Sequence, residues 1–117
     1  MVQQRESLLK ARVIRDLRAE GVFVRKIQQR VLCGDLDLYC CWNGWFVGIE
    51  LKTDEESDIR RLQEVTIKEI RAAHGWAAIV TTENWPETLK ELRGICAGRA
   101  SKKRSGGKGY RLEHANQ

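Results

Sequence analysis

The stretch Asp35-Leu36-Asp37-Leu38-Tyr39-Cys40-Cys41-Trp42-Asn43-Gly44-Trp45-Phe46-Val47-Gly48-Ile49-Glu50-Leu51-Lys52-Thr53 decides the fold. Its halves, Asp35 to Trp42 and Trp45 to Thr53, read as strands. They are joined by Asn43-Gly44, the pair favoured in type I′ turns because both central positions need positive φ. A two-residue loop fixes the register. With Trp42 facing Trp45, Asp37 falls opposite Glu50 and Asp35 opposite Lys52.

The two-residue period of strands assigns Asp35, Asp37, Tyr39, Cys41, Phe46, Gly48, Glu50 and Lys52 to one face of this hairpin. Leu36, Leu38, Cys40, Trp42, Trp45, Val47, Ile49 and Leu51 take the other, which carries no charge and must be packed. On the first face two carboxylates meet across the ladder at Cβ spacings of about 4.5–5.5 Å, which is unfavourable unless something neutralises them. A divalent cation does so.

Outward from the hairpin, residues 4–20 form a helix with Leu9, Val13 and Leu17 on one stripe, stopped by Gly21. Glu6 falls on that stripe and is expected to face the body of the protein. Val22 to Ile27 is a short strand. After the polar loop Thr53 to Asp58 comes a helix to about Ala73, with Leu62, Val65, Ile70 and Ala73 inward and Gln63 near its start. Trp76 to Thr81 is a buried strand, and Asn84-Trp85-Pro86 opens a helix to about Gly94. The order αβββαβα predicts an α/β fold, a mixed central sheet flanked by helices.

The 117 residues, 13.5 kDa with 42% hydrophobic and 32% charged positions, suit one folded core. Residues 1–96 form that domain and 97–117 a basic, flexible tail. The longest apolar run, Trp76 to Val80, is too short for a membrane span, and charge throughout the first twenty residues argues against a secretory signal. A cytoplasmic setting with reduced thiols at Cys33, Cys40, Cys41 and Cys96 follows, and no cysteine or histidine spacing suits structural zinc. Charge is segmented. Residues 1–30 carry eight basic against three acidic side chains, 31–98 seven against twelve, and 99–117 six against one. Basic flanks around an acidic middle suit a polyanion partner.

Two carboxylates on rigid strands suit Mg²⁺, a hard ion that takes oxygen ligands and retains waters. A lysine one pleat beyond the glutamate can hold an attacking water and stabilise charge growing on a phosphate. The combination points to phosphodiester hydrolysis.

Gly34-x-x-Asp37-Leu38 followed by Glu50-Leu51-Lys52 resembles the D…(D/E)xK signature of the PD-(D/E)XK nuclease superfamily, and more narrowly the small VRR-NUC nucleases related to Holliday junction resolvases. The resemblance runs from about Glu6 to Leu92. Leu36 stands where the family often has proline. The resemblance implies a restriction-endonuclease-like fold and a Mg²⁺-dependent DNA endonuclease, with Mn²⁺ able to substitute. Its metal ligands would be Asp37, Glu50 and the backbone carbonyl of Leu51. Lys52 would orient the water, Glu6 would assist from the first helix, and Gln63 would support the site or touch the nucleic acid backbone. Asp35 either pairs with Lys52 or lends a third carboxylate.

Expected phosphate contacts are Arg25, Lys26 and Arg30, with Lys102, Lys103, Arg104 and Lys108 of the tail. By analogy, a homodimer or higher homo-oligomer would let two sites cut two strands of branched or junction DNA. The rival reading is a nucleic-acid-binding module that keeps the fold without chemistry; it would not need the full set of Asp37, Glu50 and Lys52.

Overall fold

Asn43 (φ 48°) and Gly44 (φ 86°) both adopt positive φ and close the expected hairpin, with Trp42 facing Trp45. The computed structural model describes residues 2–28, 34–54 and 61–97. Helix α1 (Val2–Ala19) leads to strand β1 (Phe23–Lys26), and the hairpin supplies β2 (Leu38–Trp42) and β3 (Trp45–Leu51). Helix α2 (Arg61–Ala72), strand β4 (Trp76–Val80) and helix α3 (Trp85–Ala97) complete the order read from the sequence. The sheet runs β1-β2-β3-β4, with the first two pairings antiparallel and β3-β4 parallel. That parallel step requires a crossover, which α2 provides. No helix among the described residues is long and apolar enough to cross a membrane.

One sheet face carries the larger core. Leu9, Val13 and Leu17 of α1 are buried as the stripe predicts, against Val24, Leu38, Cys40, Val47, Ile49 and Leu51, and Leu89, Leu92 and Cys96 of α3 close the same cluster. Gly21 ends α1 at φ 78°, and the Val22 N–H returns to the Leu17 carbonyl at 3.1 Å. The tryptophans finish this core: Trp42 and Trp85 are buried, and Trp45 and Trp76 pack against it. Helix α3 runs to Ala97, past the stop expected near Gly94, because Cys96 belongs to the core. Burial, with the neighbouring Cys41 second, pushes the Cys40 thiol up to about 12. As expected for adjacent strand residues, Cys41 points the other way and is exposed.

Two expectations about inward faces are corrected. Leu36 does not share the face of Leu38; it packs with Ile67 and Ala77 beneath α2. Strand β2 starts at Leu38, so the two-residue alternation does not reach back to Leu36. In α2 the buried residues are Gln63 and Ile67, with Ile70 next on the same stripe, whereas Leu62, Val65 and Ala73 are exposed. The spacing 63, 67, 70 holds one helical face as well as the expected set did. The apolar-only reading set the phase wrongly by excluding the glutamine.

The outer edge of β4 is closed by side chains. Arg71 Nε donates to the Ala77 carbonyl at 2.9 Å and Asn84 Nδ2 to the Ile79 carbonyl at 3.3 Å, occupying acceptors that another strand would use. Asn84 also brackets the start of α3, accepting from the Thr81 N–H at 2.8 Å.

Between the two helices of the main core, the buried Trp85 indole N–H donates to Asp16 Oδ2 at 2.9 Å. Asp16→Ala orphans that donor and is expected to cost about 1–3 kcal/mol, read from the urea midpoint. Trp85→Phe added to Asp16→Ala should cost less than the sum of the two single changes. Full additivity would show that the bond contributes nothing.

Candidate active site

The site begins where β2 leaves β3. Their ladder ends at Leu38 facing Ile49, so the expected direct pairing of Asp37 with Glu50 is not part of it. In a ladder anchored on a two-residue turn, Leu36 and Leu51 would form the next hydrogen-bonded pair. Instead Leu36 turns under α2 with its N–H donating to the Tyr39 hydroxyl at 3.2 Å, and the Leu51 N–H donates to Asp37 Oδ2 at 2.8 Å. The Asp37 carboxylate thus takes the place of the missing backbone carbonyl. Its own carbonyl accepts from the Ile27 N–H at 3.0 Å, which extends the pairing with β1. Asp37 is held from both sides and buried.

This bond ties Asp37 to the main chain next to Glu50. The N–H that Asp37 holds belongs to the peptide unit joining Glu50 to Leu51, so its carboxylate lies one hydrogen bond from the Glu50 main chain. The Leu51 carbonyl points to the same strand edge as its N–H, towards Asp37. The Lys52 N–H points the opposite way and donates to the Val80 carbonyl at 3.0 Å.

Glu50 is 2% exposed, and its Oε2 lies 3.4 Å from Lys52 Nζ, an i,i+2 pair on one strand face. Because the crossover runs α2 antiparallel to β3, the first turn of α2 lies over the C-terminal end of that strand. Ile70 sits over Gly48. Gln63 lies two turns before Ile70 on the same buried helix face, near the start of α2. Gln63 is 1% exposed, and its Oε1 accepts no hydrogen bond. An unsatisfied buried acceptor costs about 1–3 kcal/mol, and a protein that retains one at such a place points to use.

Glu6 is exposed, which corrects the expectation that it faces the core. It nevertheless reaches the site: Glu6, Ser7 and Lys10 of α1 line a pocket of ≈ 240 Å³ with Asp37 and Leu51. Lys10 was not anticipated, although its i,i+4 spacing from Glu6 places it on the same helix face. Asp35 does not pair with Lys52: the Tyr39 hydroxyl donates to its Oδ1 at 3.1 Å, while Lys52 meets Glu50. Nothing in the sequence signalled the Tyr39 link. Arg25 and Lys26 are exposed on β1, an edge strand. Arg30, Lys102, Lys103, Arg104 and Lys108 lie outside the described residues, as do Cys33 and residues 98–117 of the expected tail.

Against this geometry, a solved structure described as a VRR_NUC domain matches with a TM-score of 0.65 at 22% identity, over 74% of this chain and 95% of that one. The chain has the fold of a VRR_NUC domain. No protein-family model and no curated protein matches the sequence. At this identity the likeness establishes the nuclease-type fold, and roles within it rest on the residues themselves. In this VRR_NUC-like fold, no group of three or more His, Cys, Asp or Glu among the described residues is arranged to hold a metal ion. The candidate donors are the Asp37 carboxylate and the Leu51 main-chain carbonyl at the pocket, and the Glu50 carboxylate on the preceding residue, all oxygen. That set fits Mg²⁺, which is commonly held by one or two carboxylates plus waters, and not zinc, which is drawn to thiolate and imidazole.

Asp37 has a structural duty separable from its charge. Asp37→Asn keeps an acceptor for the Leu51 N–H and should leave the urea midpoint nearly unchanged. Asp37→Leu leaves that N–H unpaired and should lose about 1–3 kcal/mol. Equal stability of the two variants would refute the strut.

Proposed function

We propose that the protein is a Mg²⁺-dependent endonuclease that hydrolyses phosphodiester bonds in DNA, with Mn²⁺ able to substitute. The observation that carries this reading is the Asp37 Oδ2 to Leu51 N–H bond, which fixes one acid against the peptide that follows the other. Asp37, Glu50 and the Leu51 carbonyl would hold the ion. When bound, it would acidify a water and neutralise charge on the phosphate.

The chain's own groups supply the rest. Lys52, already 3.4 Å from Glu50, donates to the attacking water and to the oxygens on which negative charge grows. Glu6 and Lys10 flank the entrance that Asp37 lines, the acid assisting the cation and the ammonium receiving phosphate. Gln63 offers its buried amide to the nucleophile or the nucleic acid backbone. Arg25 and Lys26 on the edge strand are phosphate contacts, with Arg30 and the basic tail as their complement. Branched or junction DNA is the proposed substrate form, and a homodimer would set two such sites on two strands.

Incubation with branched and single-stranded DNA in Mg²⁺ or Mn²⁺ should give nicks that EDTA abolishes. Lys52→Ala should lower kcat by about 10²–10³ while DNA affinity is kept, and Glu50→Gln should remove a Mn²⁺ site seen by calorimetry. Unchanged cleavage by Lys52→Ala would overturn the assignment. Gln63→Met fills the same volume without an orphaned acceptor, so it is expected to raise the urea midpoint and slow cleavage. A variant both less stable and fully active would assign Gln63 to packing alone.

A further inference from the structure

At the turn end of the sheet, Phe23, Cys41 and Phe46 form a row across three strands, Phe23 paired with Cys41 and Cys41 with Phe46. Their chain neighbours Val24, Cys40 and Val47 enter the main core, so the row points to the opposite face. Helix α2 reaches that face at Gly48 with Ile70, and Tyr39 of β2 packs against the same cluster. The row is left open, with Phe23 54% and Phe46 48% exposed and Cys41 exposed between them.

The surroundings select the occupant. The Arg25 guanidinium carbon lies 4.5 Å from the Phe23 ring centroid, and the Tyr39 ring sits 5.6 Å from that of Phe46. Lys26 follows Arg25, and neither Phe23–Lys26 nor Leu38–Gly48 contains an acidic residue. Half-exposed aromatic rings, one of them capped by a guanidinium, complement a ligand that is flat, apolar and anionic in alternating parts, as unpaired nucleotides are. Duplex bases are stacked on each other and cannot offer their faces. Phe23 and Phe46 stand about two strand spacings, roughly 10 Å, apart. Phe46 shares its sheet face with Glu50, four strand residues or about 13 Å further along β3.

We propose that the Phe23–Cys41–Phe46 row, with Arg25, is a stacking platform for single-stranded DNA that feeds the strand towards Asp37 and Glu50. The inference rests on the nuclease reading only for the direction of that strand; the stacking is independent of it. Binding is therefore measured in EDTA, by fluorescence anisotropy of a labelled oligothymidylate and of a labelled duplex.

Phe23→Ala and Phe46→Ala, both at exposed positions, should each weaken oligothymidylate binding at least about five-fold with little change on the duplex, and Phe→Tyr at either position should restore it. The oligothymidylate should also protect Cys41 from a maleimide, read by mass spectrometry of its peptide. Unaltered oligothymidylate affinity in the double alanine variant would overturn the platform. So would a dimer by sedimentation that the double variant dissociates without losing that affinity, since the row would then join two copies of the chain. Glu50→Gln separates the two readings: it should bind the oligonucleotide as the native protein does and cut nothing. A native protein that binds oligothymidylate through the row but never cleaves DNA keeps the platform and removes the nuclease.

Discussion

The acceptance of the Leu51 N–H by the Asp37 carboxylate is the constraint on which the rest of the site depends. A strand that leaves its partner orphans a donor and an acceptor at the point of departure, and a buried orphan is costly. Here a side chain substitutes for the departing carbonyl. The substitution frees Leu36 to turn under α2, where its N–H finds Tyr39, and it keeps a carboxylate at the mouth of the opening. One bond therefore repairs the ladder and installs an acid. Backbone repair alone could be done by asparagine, so the repair does not account for the negative charge.

The concentration of polar groups under α2 has the opposite energetic sign. Glu50 is nearly inaccessible and meets an ammonium at 3.4 Å, and Gln63 brings an acceptor that nothing satisfies. Burying an ion pair rarely stabilises a protein more than apolar side chains of equal volume would. Stability does not explain these residues. The fold tolerates them because the main core lies on the other face of the sheet, where α1 and α3 pack against apolar strand residues without a charge among them. The alternation of β3 sorts its residues by face: Val47, Ile49 and Leu51 enter the main core, while Glu50 and Lys52 form an ion pair on the other side.

The sequence was most legible where a physical rule leaves one solution. Asn43-Gly44 admits one turn and hence one register, and Leu9, Val13 and Leu17 admit one buried stripe. The same register points to Asp37 and Glu50 as candidate acids, although the ladder itself ends one pair short of them, at Leu38 and Ile49. Legibility failed where several solutions share one pattern. Alternation of acid and leucine from Asp35 to Leu38 looks the same whether the strand continues or ends, so Leu36 was placed on the wrong face and Asp35 with the wrong partner. In α2 the phase was misread because a buried glutamine is discounted by any rule that equates inward with apolar. That same glutamine keeps a buried, unpartnered acceptor among the described residues, so the misreading falls on a residue that packing alone does not account for.

The closeness of α2 to the sheet also has a cause in the sequence. A methyl group at Gly34 would stand 2.8 Å from the Leu62 carbonyl oxygen and from Thr66 Oγ1, and one at Gly48 would stand 2.9 Å from Ile70 and Leu36. With both positions bare, the helix settles low over the β3–β4 side, and Gln63 at its start is buried. A helix seated that tightly on two strands cannot also shield the strands beyond them. The outward side chains of β1 and the turn end of β2 and β3 are therefore left to solvent, and there the chain places phenylalanine and arginine where lysine or threonine would have been cheaper in exposed apolar surface. The low seat of α2 thus accounts for both the polar cluster beneath it and the aromatic row beside it.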